Sequence, residues 1–375
     1  MSLGIYKWGD FMKTLVLAGC GHGHIQILSK LQEMDLNDLK VVVITNYDRQ
    51  FYSGMLPGYI NGSFSLEEVS FKVEDYCKNP NIELIFDEIV EIDKNENVVI
   101  TRNESYSFDY LCMNLGSKSI ESFGPETESL HYVKPIYGFK ELKDIGGGQD
   151  SLLIIGGGAA GVELALAYGH KYPGLNITIA DKHDILLKFN DRTRKLAKKV
   201  LEFRNINVMY GVDIDHIDGN TAYYDGGEIH FDQALVSTGV TGVDINYKGF
   251  EVDERNFLKV NNNLFAADNI LAIGDMVHIR EFPHMPKAGV FAIRMTPILV
   301  NNVFHVIFGD GELESYVPQE RYLQIINTSD DKAILSWGPF AMHNKLALKI
   351  KNKIDMNYMK GNLVTDSFMK RFEKK

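Results

Sequence analysis

Twice in this chain an apolar run with strand character leads into a glycine-rich turn, an apolar helical pattern and a second apolar strand. The clearer copy runs from Ser151 to Ile155, through Gly156-Gly157-Gly158-Ala159-Ala160-Gly161, along Val162, Leu164, Leu166 and Tyr168, and on to Ile177 to Ala180. This is GxGxxG between a strand and a helix, and its physics is restrictive. The first glycine makes the tight turn, the second lets backbone N–H groups approach a pyrophosphate, and the third lets helix and strand pack closely. The helix N-terminus then favours the phosphate charge. Asp181, 20 residues after Gly161, ends the second strand, where a carboxylate accepts both hydroxyls of an adenosine ribose and repels a 2′-phosphate. NADH is therefore favoured over NADPH, although Lys182 and His183 soften the preference.

The other copy runs from Thr14 to Ala18, through Gly19-Cys20-Gly21-His22-Gly23-His24, along Ile25, Leu28 and Leu31, to Val41 to Ile44. It departs from the pattern in two places. His24 stands where the third glycine belongs, and Thr45-Asn46 follows the second strand, so Asn46 has to serve a ribose in place of an acid. His22 and His24 either face a pyrophosphate or cap and pack the helix start; residue types alone leave both open. Ala234 to Ser237 and Ile270 to Ile273 read as short strands that complete the two sheets. The expected class is α/β, with two Rossmann-like dinucleotide-binding domains.

At 375 residues the chain suits two or three domains. A net charge of −11 disfavours nucleic acid as a partner. No apolar run near 18 residues is evident, so no transmembrane helix is expected. Residues 1–11 lack the features of a secretory signal and read as an extension. Cys20, Cys77 and Cys112 form neither a disulfide framework nor a metal-ligand spacing. A reducing, cytoplasmic compartment fits, and no metal is expected. From about Tyr316 the pattern alternates and then becomes basic and helical, which reads as a small C-terminal α+β module. Between Lys345 and Lys375 nine Lys/Arg face only Asp355, Asp366 and Glu373. Leu346, Ile350 and Ile354 recur at four-residue spacing among lysines. Such a helix over 345–360 either lies on an anionic membrane, putting the chain on the inner face, or packs its apolar side on its own domain or a second subunit. A homodimer is compatible with this pattern.

Further strings carry a resemblance. Ile270-Leu271-Ala272-Ile273-Gly274-Asp275 resembles the strand-plus-GD motif that closes the FAD domain of two-dinucleotide-binding flavoproteins, the superfamily of disulfide reductases, type II NADH dehydrogenases and sulfide:quinone reductases. Leu111 to Gly116 and Leu235 to Gly239 look like its two crossings between domains. Gly21-His22-Gly23-His24, Arg49, Tyr52-Ser53-Gly54-Met55-Leu56-Pro57-Gly58, Val133-Lys134-Pro135 and Pro286 to Arg294 resemble the NADH-dehydrogenase-like family whose members occur alone or fused ahead of selenide, water dikinase. The likeness runs from about Lys13 to Phe372.

The resemblance implies a discontinuous FAD domain over 12–118 and 263–315, an NAD(H) domain over 119–262 and a module over 316–375. Gly19, Gly21, His22, Gly23, His24, Asn46, Arg49, Gly116, Gly274 and Asp275 are then FAD-binding, Asp275 through the ribityl chain. Gly156, Gly158, Ala159, Ala160, Gly161, Asp181 and Gly239 are NAD-binding. Tyr52 to Pro57 lie against the isoalloxazine, with Pro57 counted as catalytic. Lys287, Ala288 and Gly289 open a helix whose N-terminus and lysine stabilise negative charge on reduced flavin, Lys287 being otherwise a surface lysine. Glu163, expected on the first turn of its helix, either serves the nicotinamide end or the path to the acceptor, or is a dipole-favoured acid.

These assignments imply an FAD-dependent NADH oxidoreductase that passes electrons to a diffusible acceptor, a quinone foremost. The missing cysteine pairs disfavour disulfide reductase and sulfide:quinone chemistry. A redox partner or sensor in selenium or sulfur metabolism is the alternative, suggested by the fusion habit alone.

Overall fold

The computed structural model describes residues 12–361; the extension at 1–11 and the last basic residues, Lys370, Arg371, Lys374 and Lys375, lie outside them. Two compact units emerge, each assembled from three stretches of sequence. Among the described residues, the first comprises 12–50, 72–116 and 242–317, the second 51–71, 117–241 and 318–361.

In the first unit a six-stranded sheet has the order Phe265–Ala267, Ile270–Ala272, Tyr110–Met113, Lys13–Ala18, Leu39–Thr45, Ile82–Phe86. All neighbours pair in parallel except the Phe265–Ala267 edge. Val41 to Ile44 are buried on both faces, which is why this strand reads as an unbroken apolar run. Lys13–Ala18 has the helix-connected Leu39–Thr45 on one side and Tyr110–Met113 on the other. The turn after it therefore sits at the switch point where such sheets bind ligands. The 20-residue helix Gly289–Phe308 is long and apolar enough to cross a membrane, contrary to the sequence expectation. Arg294, Asn301 and Asn302 interrupt the run without ending the helix. Its Phe291, Met295, Leu299 and Val303 are buried, and Asn302 donates to the carbonyls of Asn263 and Glu314.

In the second unit a wholly parallel sheet has the order Leu130–Tyr132, Gln233–Val236, Ser151–Ile155, Asn176–Asp181, Asn207–Tyr210. Leu153, Ile155, Ala180, Ala234 and Val236 build its core with Phe231 and Ile214. The tail forms a three-stranded antiparallel sheet, Gln324–Asn327, Ala333–Trp337 and Phe340–Asn344, followed by the helix Lys345–Met359. Asn344 caps that helix by accepting from the Ala347 N–H. Its inward residues are Ala347, Lys351, Asp355 and Tyr358. The expected stripe lies a step round the helix: Leu346 is 58% exposed, while Ile350 packs against the module's own core. The tertiary face was set by small and hydrogen-bonding side chains, which an apolar-spacing rule passes over.

Candidate active site

The second unit holds the glycine turn that the sequence made plain. Gly156 has φ +113, and a Cβ there would stand 2.6 Å from the Ser237 carbonyl oxygen. At Gly161 a Cβ would meet the Gly156 oxygen at 1.9 Å, so only hydrogen fits. Gly158 is the N-cap of the helix Ala159–Lys171 without a side-chain cap, and a Cβ on it would meet nothing within 4 Å. Ala159 and Ala160 form the first helical positions, leaving uncapped N–H groups at an open surface suited to an anion. Asp181 accepts from the Gly157 N–H at 2.5 Å through one carboxylate oxygen and from the His183 N–H at 2.7 Å through the other. A carboxylate offers about four acceptor positions. Two stay available for a ribose. Gly239, expected in the same site, follows the strand Gln233–Val236 and is exposed.

The same helix carries Glu163, its fifth residue, on the second turn rather than the first. This displaces it from the uncapped N–H groups and removes the dipole explanation, whose reach is about one turn. The side chain is partly buried, and its Oε1 accepts from the Asn327 N–H at 2.7 Å. Loss of hydration pushes the carboxyl up to about 7, against the opposing pull of Lys351 and of that hydrogen bond, with Asp355 adding a smaller upward push. Tyr52, expected beside a flavin, is buried; its hydroxyl donates to Asp355 Oδ1 at 3.1 Å and its ring lies 4.6 Å from that of Tyr358. Lys351 donates to Asp355 Oδ2 at 2.8 Å and to the Gly54 carbonyl at 2.5 Å. Ser53 is exposed at the start of the short 3-10 turn Ser53–Met55, and Pro57 is buried in the helix Leu56–Ile60.

Sequence reading missed Asn327, Lys351 and Asp355. The available signal was a Lys–Asp pair at i,i+4 on the face shared with Ala347 and Tyr358.

The first unit holds the other turn. Gly19 has φ +80, and a Cβ at Gly21 would meet the Asn114 side chain at 2.2 Å. Asn114 accepts from the Gly23 N–H at 3.1 Å and donates to the Ile273 carbonyl at 3.1 Å, binding the turn to the strand that precedes Gly274. His24, expected at a pyrophosphate, turns inward instead. It is fully buried with Nδ1 2.7 Å from the Gly19 oxygen. A carbonyl only accepts, so Nδ1 carries the proton, and burial lowers the imidazole to about 4, keeping it neutral. His22, the first helical residue, is half-buried. Asn46 is exposed just past Leu39–Thr45, Arg49 is half-buried, Gly116 has φ +76, and Asp275 lies in the turn Gly274–Met276. The close glycine approaches suit a dinucleotide turn, although the Gly23 N–H is already taken by Asn114. The helix Gly289–Phe308 starts later than expected, with Ala288 as N-cap. Lys287 precedes it, its ammonium bonded to the Val277 carbonyl and 4.0 Å from the centre of the Phe257 ring. Cys20 and Cys112 are buried and all three cysteines are free.

Residues 13–292 match the family model described as pyridine nucleotide-disulphide oxidoreductase. The chain is similar to the NADH dehydrogenase-like protein YutJ of Bacillus subtilis, at 24% identity over 291 residues, covering 74% of this chain and 79% of that one. It is similar to a type II NADH:quinone oxidoreductase of Staphylococcus saprophyticus, at 23% identity over 343 residues, covering 80% and 84%. Among solved structures, NDH2 from Plasmodium falciparum in complex with NADH shares the fold at a TM-score of 0.75 and 13% identity, covering 97% and 100%.

Proposed function

Given that the chain belongs to the pyridine nucleotide-disulphide oxidoreductase family, flavin-dependent enzymes that bind FAD and NAD(P)H, we propose that it oxidises NADH and reduces a quinone, with Glu163 supplying a proton. Bound FAD supplies the two-electron relay between nicotinamide and acceptor. The chain's own residues bind, orient and protonate. The open N-terminus at Gly158 takes the pyrophosphate, and Asp181 takes the ribose hydroxyls. Reduction of a quinone by NADH consumes one proton, NADH + H⁺ + Q → NAD⁺ + QH₂, so one group must deliver a proton in a site that excludes bulk water.

Glu163 carries this reading. It is a partly buried carboxyl held at about 7, five residues past the N-cap of the NAD turn. A general acid works best with a pKa near the working pH. The quinone is favoured by likeness to the type II NADH:quinone oxidoreductases and by the lack of a cysteine pair. The exposed lysines Lys345, Lys349 and Lys353 along the last helix support contact with an anionic membrane from the cytoplasmic side.

The test is anaerobic. NADH is expected to bleach the flavin and a short-chain quinone to restore it, with NADPH slower in the first step; a flavin that NADH leaves oxidised overturns the proposal.

A further inference from the structure

Within the second unit four ionisable side chains share one largely buried space. The helix Lys345–Met359 contributes Lys351, 7% exposed, and Asp355, 4% exposed. The helix Ala159–Lys171 contributes Glu163, and the residue before the Ser53–Met55 turn contributes Tyr52. Further polar groups face them. The strand Gln324–Asn327 offers the Asn327 N–H to Glu163, Gly54 offers its carbonyl to Lys351, and Tyr358 lies against the Tyr52 ring.

The charges in this space decide what Glu163 does. Tyr52 donates its hydroxyl to Asp355, so Asp355 acts as an acceptor there, and the Lys351 ammonium donates to the other oxygen of the same carboxylate. Lys351 and Asp355 thus form an ion pair with no net charge, within which the pull of Lys351 on Glu163 is larger than the push of Asp355. The space is electrically neutral when Glu163 is protonated and carries a surplus negative charge when Glu163 is ionised. A surplus charge away from water is unfavourable.

We propose that the Lys351–Asp355 pair is the counter-charge that fixes the protonation state of Glu163, making both of them positioning residues of the proton step. The inference rests on the reading of Glu163 as proton donor. It adds that the pair, which touches neither NADH nor acceptor in this account, governs when the proton is available. No bond to the pair forms or breaks. The only transfer is of one proton from the Glu163 carboxyl to a reduced acceptor oxygen, with the carboxylate later reprotonated from solvent.

Opposite charge removals must then have opposite effects. Asp355→Asn leaves Lys351 uncancelled and favours ionised Glu163; Lys351→Met leaves Asp355 uncancelled and favours protonated Glu163. The double variant returns the space to neutrality. A loss of packing alone makes the singles move the same way and the double worse.

The experiment follows the protonated-carboxyl infrared band of the FAD-loaded enzyme, assigned by its absence in Glu163→Gln, as pH is raised. The midpoint is expected to fall by about one pH unit in Asp355→Asn, to rise by about one unit in Lys351→Met, and to return close to wild type in the double variant. Should Lys351→Met not fold, Lys351→Gln removes the same charge and is read in its place. Singles that shift in the same direction, or do not shift, overturn the proposal. Turnover with a short-chain quinone is recorded on the same samples. If the band moves as expected while the pH limb of turnover stays fixed, the counter-charge role stands and the proton-donor reading falls. If Glu163→Gln abolishes the limb but the variants leave both limb and band in place, the counter-charge role falls.

Discussion

At the scale of single residues, Glu163 couples folding to pH. Its carboxyl is raised from 4.5 to about 7 by lost hydration, so the folded chain binds a proton that the unfolded chain releases between those values. That contribution to stability is fully present below about 4.5, shrinks as pH rises and is lost above about 7. Glu163→Gln is expected to remove this slope, with urea midpoints that stay level from pH 5 to 8 while those of the wild type fall. Under the proposed role of Glu163 as proton donor, the same variant is expected to lose the high-pH limb of quinone turnover. Gly161→Ala forces a methyl to within 1.9 Å of the Gly156 oxygen. It is expected to cost about 1–3 kcal/mol of stability and to raise the KM for NADH, checked by thermal melting and steady-state kinetics. Asp181→Ala is expected to raise the KM for NADH far more than that for NADPH, because it removes ribose acceptors and a repulsive charge together. The turn from Gly156 to Gly161 was legible because steric rules there are absolute. Glu163 was legible by position only; what gives it chemistry comes from Asn327, Lys351 and Asp355, more than 160 residues away.

At the scale of elements, the helix Lys345–Met359 shows where periodicity misleads. Leu346, Ile350 and Ile354 form the apolar stripe of this segment's sequence, yet the buried line is Ala347, Lys351, Asp355, Tyr358. Ala347 is fully buried against Ala333 and Leu335, where a larger side chain cannot fit. Ala347→Leu is expected to destabilise by about 1–3 kcal/mol, and Leu346→Ala to stay within about 0.5 kcal/mol, both read from denaturant midpoints. The reverse order contradicts the orientation of this helix. The inner parallel strands, by contrast, were legible almost to the residue, while Ile82–Phe86, Leu130–Tyr132 and Asn207–Tyr210 at the sheet edges were not read. Runs such as Val41 to Ile44 and Leu152 to Ile155 are buried on both sides, and no polar position competes for either face.

At the scale of the whole molecule, the paired strand–turn–helix units were visible in the sequence, but the way each unit gathers distant segments rested on resemblance. Pairing across long separations leaves no local trace. Leu111 pairs with Ile270, and Asn114 donates to Ile273, 159 residues further on. The second unit's parallel sheet, from Leu130 to Tyr210 and Gln233 to Val236, lies wholly inside that interval. During synthesis at about 5–20 residues per second, the edge of Tyr110–Met113 waits roughly 8–30 s for its neighbour to leave the ribosome. A sheet from the middle of the gene therefore has all its strands before the one at the start, and the nascent chain carries an open strand edge for chaperones to shield through that wait.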